Sequence, residues 1–360
     1  MGLYFANAID DLVIDALAGF ARAHAGTVEW NRQHGFIRSL RTAPTRRVGL
    51  VSGGGSGHEP LHIGYVGQGM LDAACPGRIF ASPHNRAIFE ASRAVAREAG
   101  VLHLVKNYTG DKINFGIAAE RLAREGIPCE RVLIDDDLAS ESADVSTGRR
   151  GTGATVLVEK ILGAAADSGM GLAELKTLGT ELVSRSRSLA VASAAHTAPP
   201  TGLPAFDLAD GDIEYGVGIH GERARRTLTG PLPLRELAAD MVTAVADSLG
   251  MGRGTQVVVL VNGLGAITQM ELYAVLHEVT ELLDARGANT VRTLVGDFVT
   301  ALDMRGFSLT MMLADRAMLA HYDAPAFTAA WPRDIPVRPA TATAGPADPA
   351  GPAGAVAARP

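Results

Sequence analysis

The sequence predicts an α/β fold made of two α/β domains, each with a mainly parallel or mixed sheet flanked by helices. First, 360 residues exceed the size at which one hydrophobic core usually stops growing. Second, short runs of β-branched residues and leucine end abruptly in glycine or polar residues, and longer segments with helical periodicity follow them. Third, a stretch rich in proline and glycine, residues 197–212, interrupts this alternation midway.

The first half contains four predicted strands, each followed by a polar loop. They are Val48–Val51, Arg78–Ala81, Val101–Val105 and Val132–Ile134. In a parallel sheet the loops after the strands gather at one edge, and ligands bind at that edge. We therefore expect the four polar loops to meet at a binding site.

Capping residues predict where the helices of this half begin and end. Ser82 is a candidate N-cap with Pro83 at the first helical position. Gly100 and Gly126 occupy positions typical of glycines that end helices. Two further helices are predicted at Thr152–Gly169 and Gly171–Ala190.

The second half repeats the pattern and predicts a second α/β unit. Its predicted elements are a strand at Val257–Val261, a helix at Thr268–Ala285 and a strand at Thr290–Val295. With a boundary between about residues 185 and 212, we expect an N-terminal domain at 1–190 and a C-terminal domain at 191–337. Residues 338–360 are almost wholly Ala, Pro, Gly and Thr, a composition that predicts a disordered tail.

Composition narrows the class of function. The formal net charge of −6 offers no general attraction to nucleic acid or to an anionic membrane. Two cysteines are too few for a disulfide framework. The first 20 residues carry Asp10 and Asp11 and no basic region, and no apolar run reaches the roughly 18 residues that span a bilayer. We expect a cytoplasmic protein that acts on a small molecule.

The most informative segment runs from Val48 to Pro60 and contains five glycines and His58. Glycine permits close approach of a ligand to the backbone, and Pro60 is suited to open a helix. The alternative is a flexible connection in which His58 is a solvated loop residue. A phosphate-binding lysine loop is excluded because it needs Gly-Lys-Ser/Thr, which this segment lacks. A dinucleotide fingerprint and a hydrolase nucleophile elbow are excluded because His58 stands where each of them needs a glycine.

The same segment also matches the His-Glu-x-x-His pattern of zinc peptidases, through His58 and His62. That pattern binds zinc only when both histidines lie one turn apart within a helix. Pro60 fits best at a helix start, which leaves His58 outside the helix. We expect no metal site in this chain.

Two other segments carry candidate carboxylates. Asp111 follows the predicted strand at Val101–Val105, and either a general base or the N-cap of the next helix is chemically sensible. Asp135, Asp136 and Asp137 end another strand, where a Mg²⁺ site is conceivable but a solvated loop or helix cap is favoured.

A second histidine, His220, lies among glycines at positions 216, 218 and 221. A lone histidine is usually structural. Glycines on both sides of an imidazole nevertheless suit a side chain that touches a ligand directly. The residues alone therefore indicate a small polar metabolite held between His58 and His220.

Seven blocks of sequence closely resemble the dihydroxyacetone-binding subunit or domain of dihydroxyacetone kinases, over residues 10–330. The blocks are 53–60 (GGGSGHEP), 64–74 (GYVGQGMLDAA), 106–111 (KNYTGD), 148–151 (GRRG) with 155–160 (TVLVEK), 216–222 (GVGIHGE), 261–265 (VNGLG) and 302–307 (LDMRGF). Their agreement in type and order is very hard to obtain by chance.

The resemblance implies roles for the candidate residues. His220 adds through an imidazole nitrogen to the C2 carbonyl of the ketone and forms a covalent hemiaminal, which selects ketones over glycerol. His58 is the acid/base for that step, and Asp111 accepts the proton of the terminal hydroxyl as it attacks phosphorus. The triose is positioned by Gly55, Ser56, Gly57 and Lys106.

The resemblance also implies that this chain needs a partner. The sequence contains no nucleotide loop, and in the family ATP/ADP with Mg²⁺ is bound by a separate nucleotide-binding kinase subunit or a fused domain. The usual assembly is a homodimer. Many members continue after the histidine block with Pro-Gly, whereas this chain has Arg223 and Ala224. That departure leaves open a tetrose ketose such as erythrulose as substrate, and a non-catalytic sensor of dihydroxyacetone remains the alternative of a different class.

Overall fold

The computed structural model of the chain describes residues 4–141, 148–223, 226–230 and 232–331. The predicted tail, residues 338–360, lies outside the described residues, as does Ala224. Over the ranges that are described, no helix has both the length and the apolar character needed to cross a bilayer.

The first half forms a six-stranded sheet whose centre is parallel. Its strands are β1 (Val28–Asn31), β2 (Phe36–Ser39), β3 (Gly49–Ser56), β4 (Ala73–Ile79), β5 (Val101–Lys106) and β6 (Cys129–Ile134). The order across the sheet is β1-β2-β4-β3-β5-β6. Strands β4, β3, β5 and β6 run parallel, whereas β1, β2 and β4 pair antiparallel. The predicted parallel sheet is thus confirmed at its centre.

The second half forms another six-stranded sheet, together with a two-stranded hairpin. In chain order the strands are β7 (Ser186–Ala194), β8 (Thr197–Ala198), β9 (Leu203–Pro204), β10 (Ile213–Tyr215), β11 (Arg226–Leu228), β12 (Gln256–Gly263), β13 (Asn289–Gly296) and β14 (Arg305–Leu313). The large sheet has the order β11-β10-β7-β14-β12-β13, and β8 pairs only with β9.

This second sheet is mixed, with β12 and β13 as its parallel pair and antiparallel pairing elsewhere. A mainly parallel sheet is therefore wrong here, and the mixed alternative is confirmed. The physical reason lies in the connection of residues 297–304 between β13 and β14. It contains no helix and is shorter than the dozen or so residues that a parallel crossover needs, so the chain returns antiparallel.

Helices cover the sheets and fill the space between them. They are α1 (Leu12–Ala23), α2 (Asn85–Val95), α3 (Thr109–Arg124), α4 (Ala154–Asp167), α5 (Leu172–Ser184), α6 (Leu234–Ser248), α7 (Gln269–Ala285) and α8 (Arg316–Asp323). Helix α4 contacts β5 of the first sheet and both β7 and β14 of the second. Its residues 154–166 are all buried, including the polar side chains of Thr155, Glu159 and Lys160.

One hydrophobic core extends across both sheets through α4. It includes Leu50 and Leu104 of the first sheet, Leu157 of α4 and Leu260 of the second sheet, each 0% exposed. The two halves therefore share a core, and α4 fixes the position of one sheet against the other.

Two boundaries predicted near residue 80 are wrong. The strand expected at Arg78–Ala81 ends at Ile79, because Phe80 takes a left-handed conformation with φ of 54°. Helix α2 begins at Asn85, and its cap is not Ser82 but His84, whose Nδ1 accepts a hydrogen bond from the amide of Arg86 at 3.1 Å. An imidazole acceptor thus replaces the expected hydroxyl.

The helix predicted at Gly171–Ala190 is too long. Helix α5 ends at Ser184, and the chain enters β7 at Ser186. The buried Ser188 side chain contacts Asp136 and lies 2.6 Å from Thr310 Oγ1. Pairing with β14 therefore overrides the helical periodicity of this segment.

The carboxylates that follow β6 cap a helix. Asp136 is fully buried and accepts hydrogen bonds from the amides of Thr152 at 2.7 Å and Ala154 at 3.0 Å, at the start of α4. Asp137 pairs with Arg150 at 2.6 Å. Of the three alternatives for Asp135–Asp137, a Mg²⁺ site, a solvated loop or a helix cap, these contacts support the helix cap.

Replacing Gly163 in α4 by alanine is expected to destabilise the fold. The added Cβ would lie 2.3 Å from the Gly69 carbonyl oxygen and 2.4 Å from Met70 Cα, both backbone atoms that cannot turn aside. We expect a loss of about 3 kcal/mol in the free energy of unfolding, measured by urea denaturation. Gly19→Ala in α1 is the matched control, because no atom lies within 4 Å of its added Cβ. It should gain up to about 1 kcal/mol, and equal effects of the two changes would contradict the prediction.

Candidate active site

The candidate site lies where β3 and β5 of the first sheet end against loops of the second sheet. His58 follows β3, and His220 follows β10. Their ring centroids are 4.8 Å apart, with the planes at 62°. The structure thus brings together the two histidines that the sequence analysis selected, although 162 positions separate them along the chain.

His58 is fully buried and held in one tautomer. Its Nδ1 lies 2.7 Å from the carbonyl oxygen of Thr300, which can only accept a hydrogen bond, so the proton is on Nδ1. Nε2 is buried and has no partner in the described part of the chain. Burial lowers the pKa of His58 well below its usual range, and the nearby His220 and Lys106 lower it further. The result is a neutral imidazole with a free lone pair facing the site.

A carboxylate orients His220. The Nδ1 of His220 lies 3.1 Å from Glu222 Oε1, and its backbone amide donates to Oε2 at 2.9 Å. Although burial acts to raise it, the pKa of Glu222 is lowered to about 2 by its hydrogen bond with His220 and by the charge of Arg150. An ionised carboxylate that accepts from Nδ1–H leaves the Nε2 lone pair of His220 available.

Two of the glycines around His220 make room for neighbouring side chains. A Cβ at Gly218 would lie 2.1 Å from the Glu222 carboxylate, and one at Gly221 would lie 2.6 Å from His196 Cε1. Gly218 and Gly221 therefore admit the side chains that surround His220.

Two aromatic side chains complete the walls of the site. Phe80 stacks on His58 with ring centroids 4.9 Å apart, and its ring lies 5.3 Å from that of His220. Tyr108 meets His220 edge-on at 4.6 Å. Both rings limit the orientations that the His220 imidazole can adopt.

Lys106 and Asp111 reach the site from the end of β5 and the start of α3. Asp111 is the third residue of α3, and Tyr108 occupies the N-cap position, so the N-cap alternative for Asp111 is wrong. Burial raises the pKa of Asp111, while Lys106 and a hydrogen bond with Ser82 oppose that rise. A carboxylate with a raised pKa beside an ammonium is a suitable proton acceptor.

The glycine-rich segment is part of a strand and not the predicted loop before a helix. Gly55 and Ser56 belong to β3, and a short 3₁₀ turn at Ile63–Tyr65 follows where Pro60 was expected to open an α-helix. A Cβ at Gly55 would lie 2.6 Å from the Ala81 amide nitrogen, so the strand packs tightly on its neighbour. Gly57 has a φ of +101° and turns the chain toward His58.

The hydroxyl of Ser56 donates to the carbonyl oxygen of Gly77 at 2.7 Å. Its proton is therefore used within the protein, and a ligand meets only the acceptor side of this oxygen. The end of β3 from Gly54 to Ser56, together with Gly57, leads directly into His58 and is called the floor of the site.

Sequence reasoning missed several residues at or beside the site. They are Phe80, Tyr108, His196 and Thr300, together with Glu222 as the partner of His220 and Glu159 as the partner of His62. For Glu222 the available signal was its position two residues after His220. The contact between His58 and Thr300 spans 242 positions and has no local signal.

His62, the second histidine of the His-Glu-x-x-His pattern, contacts other protein side chains through both ring nitrogens. Its Nδ1 lies 2.6 Å from Glu159 Oε1, and its Nε2 lies 3.0 Å from Lys106 Nζ. Both ring nitrogens therefore have protein partners. His58 and His62 are not on a common helix, as the zinc pattern would require.

A cavity of about 1060 Å³ adjoins the site. Phe80, Ser82 and His196 form its inner wall, and residues of α1 and of the β1–β2 hairpin form the outer one. Phe80 lines this cavity and also contacts both site histidines, whereas His58 and His220 themselves do not line it.

Fold and site together define an α/β protein in which two imidazoles, a buried lysine and a buried carboxylate converge between its two sheets. A family profile described as the Dak1 domain matches residues 18–330. The chain therefore belongs to the Dak1-domain family.

Named relatives support that assignment. The chain is 43% identical over 326 residues, covering 90% of this chain and 98% of the relative, to "PTS-dependent dihydroxyacetone kinase 1, dihydroxyacetone-binding subunit DhaK" of Listeria innocua. The solved dihydroxyacetone kinase of C. freundii superposes with a TM-score of 0.85 at 32% identity, covering 97% of this chain and 64% of that one. A dihydroxyacetone kinase operon co-activator, Dha-DhaQ, gives 0.84 at 31% identity, covering 90% and 99%.

Proposed function

We propose that this chain is the dihydroxyacetone-binding subunit of a kinase, a phosphotransferase that acts on an alcohol group. The ketose is held as a hemiaminal on His220 while a partner subunit supplies the phosphoryl group. The observation that carries the proposal is the free Nε2 of His220, whose Nδ1 is occupied by Glu222, beside the unpartnered Nε2 of His58.

Hemiaminal formation follows from this arrangement. The Nε2 lone pair of His220 forms a bond to C2 of the ketone, and the π electrons of the carbonyl move to its oxygen. That oxygen gains a proton that Nε2 of His58 first takes up from solvent and then passes on, while the Nδ1 proton of His220 leaves past Glu222 to solvent, so one proton enters and one is released. The adduct therefore equals protein plus ketone in composition. Glycerol has no carbonyl and cannot form it.

Phosphoryl transfer then uses the carboxylate of Asp111. As the terminal hydroxyl attacks phosphorus, Asp111 accepts its proton, and Lys106 together with Gly55, Ser56 and Gly57 positions the ketose. ATP or ADP with Mg²⁺ belongs to the nucleotide-binding partner subunit, which approaches through the cavity lined by Phe80 and Ser82. We propose that the chain works as a homodimer.

A sensor of dihydroxyacetone is the second candidate function. The observation that favours it is the likeness to the operon co-activator, with a TM-score of 0.84. The presence of both His58 and Asp111 beside His220 favours the kinase, because binding alone requires no proton acceptor for the terminal hydroxyl. A tetrose ketose such as erythrulose remains an alternative substrate for the same chemistry.

The deciding experiment combines the purified chain with a nucleotide-binding kinase subunit of this family. The mixture receives dihydroxyacetone, erythrulose or glycerol, with ATP or with a phosphoenolpyruvate-driven phosphocarrier system as donor. We expect ketose phosphate only when both proteins are present, and none from glycerol. A covalent adduct without turnover under either donor would support the sensor, and the absence of both adduct and product would refute both functions.

A further inference from the structure

Behind the glycine-rich strand lies a chain of three buried titratable side chains that the proposed reaction does not use as a unit. Glu159 comes from α4, His62 from the segment after β3, and Lys106 from the end of β5. Their exposed fractions are 0%, 4% and 1%. A protein does not bury three such groups together without a strong compensating interaction.

The contacts join the three side chains into one chain of hydrogen bonds. Lys106 Nζ lies 3.0 Å from His62 Nε2, and His62 Nδ1 lies 2.6 Å from Glu159 Oε1. When Lys106 is an ammonium it can only donate, so His62 Nε2 then accepts and the imidazole proton is on Nδ1. Nδ1–H then donates to the carboxylate. A neutral imidazole thereby links an ammonium to a carboxylate.

Burial penalises both ends of the chain. It lowers the pKa of Lys106 and raises the pKa of Glu159. The hydrogen bond of Ser52 and the charge of Lys106 oppose the rise at Glu159, and the charges of Asp111 and Glu159 oppose the fall at Lys106. Carboxylates of Asp111 and Glu59 also face Lys106 and raise its pKa. The imidazoles that face it are His62, which accepts its hydrogen bond, and His58, whose pKa it lowers.

The ammonium lies against the floor of the site. A Cβ at Gly54 would lie only 2.3 Å from Lys106 Nζ, so the lysine head occupies the space that a side chain of β3 would fill. The Lys106 charge also acts on the pKa of His58 and of Asp111. Whatever controls that charge controls the electrostatics of the reacting groups.

We propose that Glu159 and His62 are positioning residues that hold Lys106 as an ammonium beside the ketose, with the imidazole of His62 relaying the carboxylate charge. The inference rests on the proposed function, in which Lys106 contacts the ketose. It goes further because it assigns control of the positive charge of Lys106 to Glu159, a residue of α4 that does not contact the ligand.

The composition of the chain makes a direct test practical. The sequence has only four lysines, at positions 106, 112, 160 and 176. Biosynthetic labelling with lysine carrying ¹³C at the ε carbon therefore gives four NMR signals, and Lys106→Met identifies the one of interest. Each signal reports the charge on its own lysine as pH is varied.

In the wild-type chain we expect Lys106 to be charged at pH 7. In Glu159→Gln, which keeps the size and an acceptor atom, we expect the Lys106 midpoint to fall by about one pH unit or more. His62→Gln breaks the relay at the other position and should shift the same midpoint downward. A neutral Lys106 in the wild type at pH 7, or an unchanged midpoint in folded Glu159→Gln, would overturn the proposal.

Thr155→Val is the matched control. Thr155 lies one turn before Glu159 on α4, is fully buried, and its Oγ1 has no partner among the described residues. This variant disturbs the same helix face without removing a charge, so the Lys106 midpoint should stay at the wild-type value. A downward shift in this control equal to that in Glu159→Gln would show a general packing effect and overturn the proposal.

Binding of dihydroxyacetone separates this inference from the proposed function. In Glu159→Gln we expect the affinity for dihydroxyacetone to fall progressively between pH 7 and pH 9, where the wild type retains it. Wild-type protein that binds no dihydroxyacetone would refute the proposed function and the part of the inference built on it. Wild-type binding with an identical pH profile in Glu159→Gln would refute the inference alone.

Discussion

His220→Ala is expected to abolish the covalent adduct with dihydroxyacetone and to reduce ketose phosphate formation to background. Alanine removes the only atom in the proposed mechanism that bonds to C2, and no neighbouring group replaces it. His58 Nε2 lies close, but burial holds its pKa low and Phe80 stacks on its ring. We expect kcat/KM to fall by roughly 10³-fold or more, since covalent anchoring and orientation are lost together.

The adduct is measured with dihydroxyacetone labelled with ¹³C at C2. In the wild type the carbonyl signal should be replaced by that of a tetrahedral carbon, and His220→Ala should leave it unchanged. His196→Ala is the control, because His196 also contacts Phe80, at 4.9 Å between centroids, but has no proposed bond to the ligand. An adduct that persists in His220→Ala would show that another residue is the nucleophile.

Asp111→Asn is expected to separate the two steps of the reaction. The amide keeps the size of the carboxylate but cannot accept the proton of the attacking hydroxyl, so adduct formation should survive. We expect kcat to fall by about 10²–10⁴-fold, the usual effect of removing a general base. The kinase assay with the partner subunit gives kcat, and the ¹³C signal of the bound ketone gives adduct formation.

Asn114→Ala is the control for this change. Asn114 lies one turn later on α3, and its side chain also contacts Ser82 Oγ, at 3.4 Å. The control should retain near wild-type kcat, because it disturbs Ser82 without removing the base. If Asp111→Asn lost the adduct as well, a binding role for Asp111 would replace the catalytic one.

The pH dependence of kcat follows from the same carboxylate. Burial raises the pKa of Asp111 above its ordinary value near 4. The base acts only when ionised, so wild-type kcat should decline as pH falls through this raised pKa. The acid limb should be missing from the residual rate of Asp111→Asn. A wild-type acid limb at or below pH 4 would contradict the assignment.

The sequence predicted those parts of the fold whose signals are local. Buried parallel strands such as Val101–Lys106 are mostly continuous apolar runs, and helix α7 (Gln269–Ala285) begins within one residue of the predicted start at Thr268. The antiparallel part of the second sheet was missed, because pairing of β7 with β14 depends on residues more than 100 positions apart. The sequence of Ser186–Ala190 predicts a helix, and only the pairing with β14 shows that it is a strand.

The candidate site also has some residues that local sequence predicts and others that depend on distant parts of the chain. Glycines around His58 and His220 marked both imidazoles as candidates, and the family resemblance supplied Asp111 and Lys106. Nothing local predicted the partners that set their protonation. Thr300 fixes the tautomer of His58 from 242 positions away, and Glu159 reaches His62 across 97. Tautomer and charge are properties of the folded assembly and are not encoded in any one segment.

The contacts between residues 297–302 and the turn at His58 have a consequence for how this chain can be divided. The carbonyl oxygen of Thr300 accepts a hydrogen bond from Nδ1–H of His58, and the amide of Leu302 donates to the carbonyl of Gly57 at 2.8 Å. A fragment that ends before the second sheet would keep every residue of the glycine-rich segment and still lack the group that selects the tautomer of His58. We therefore expect the candidate site to be complete only when both halves of the chain are present.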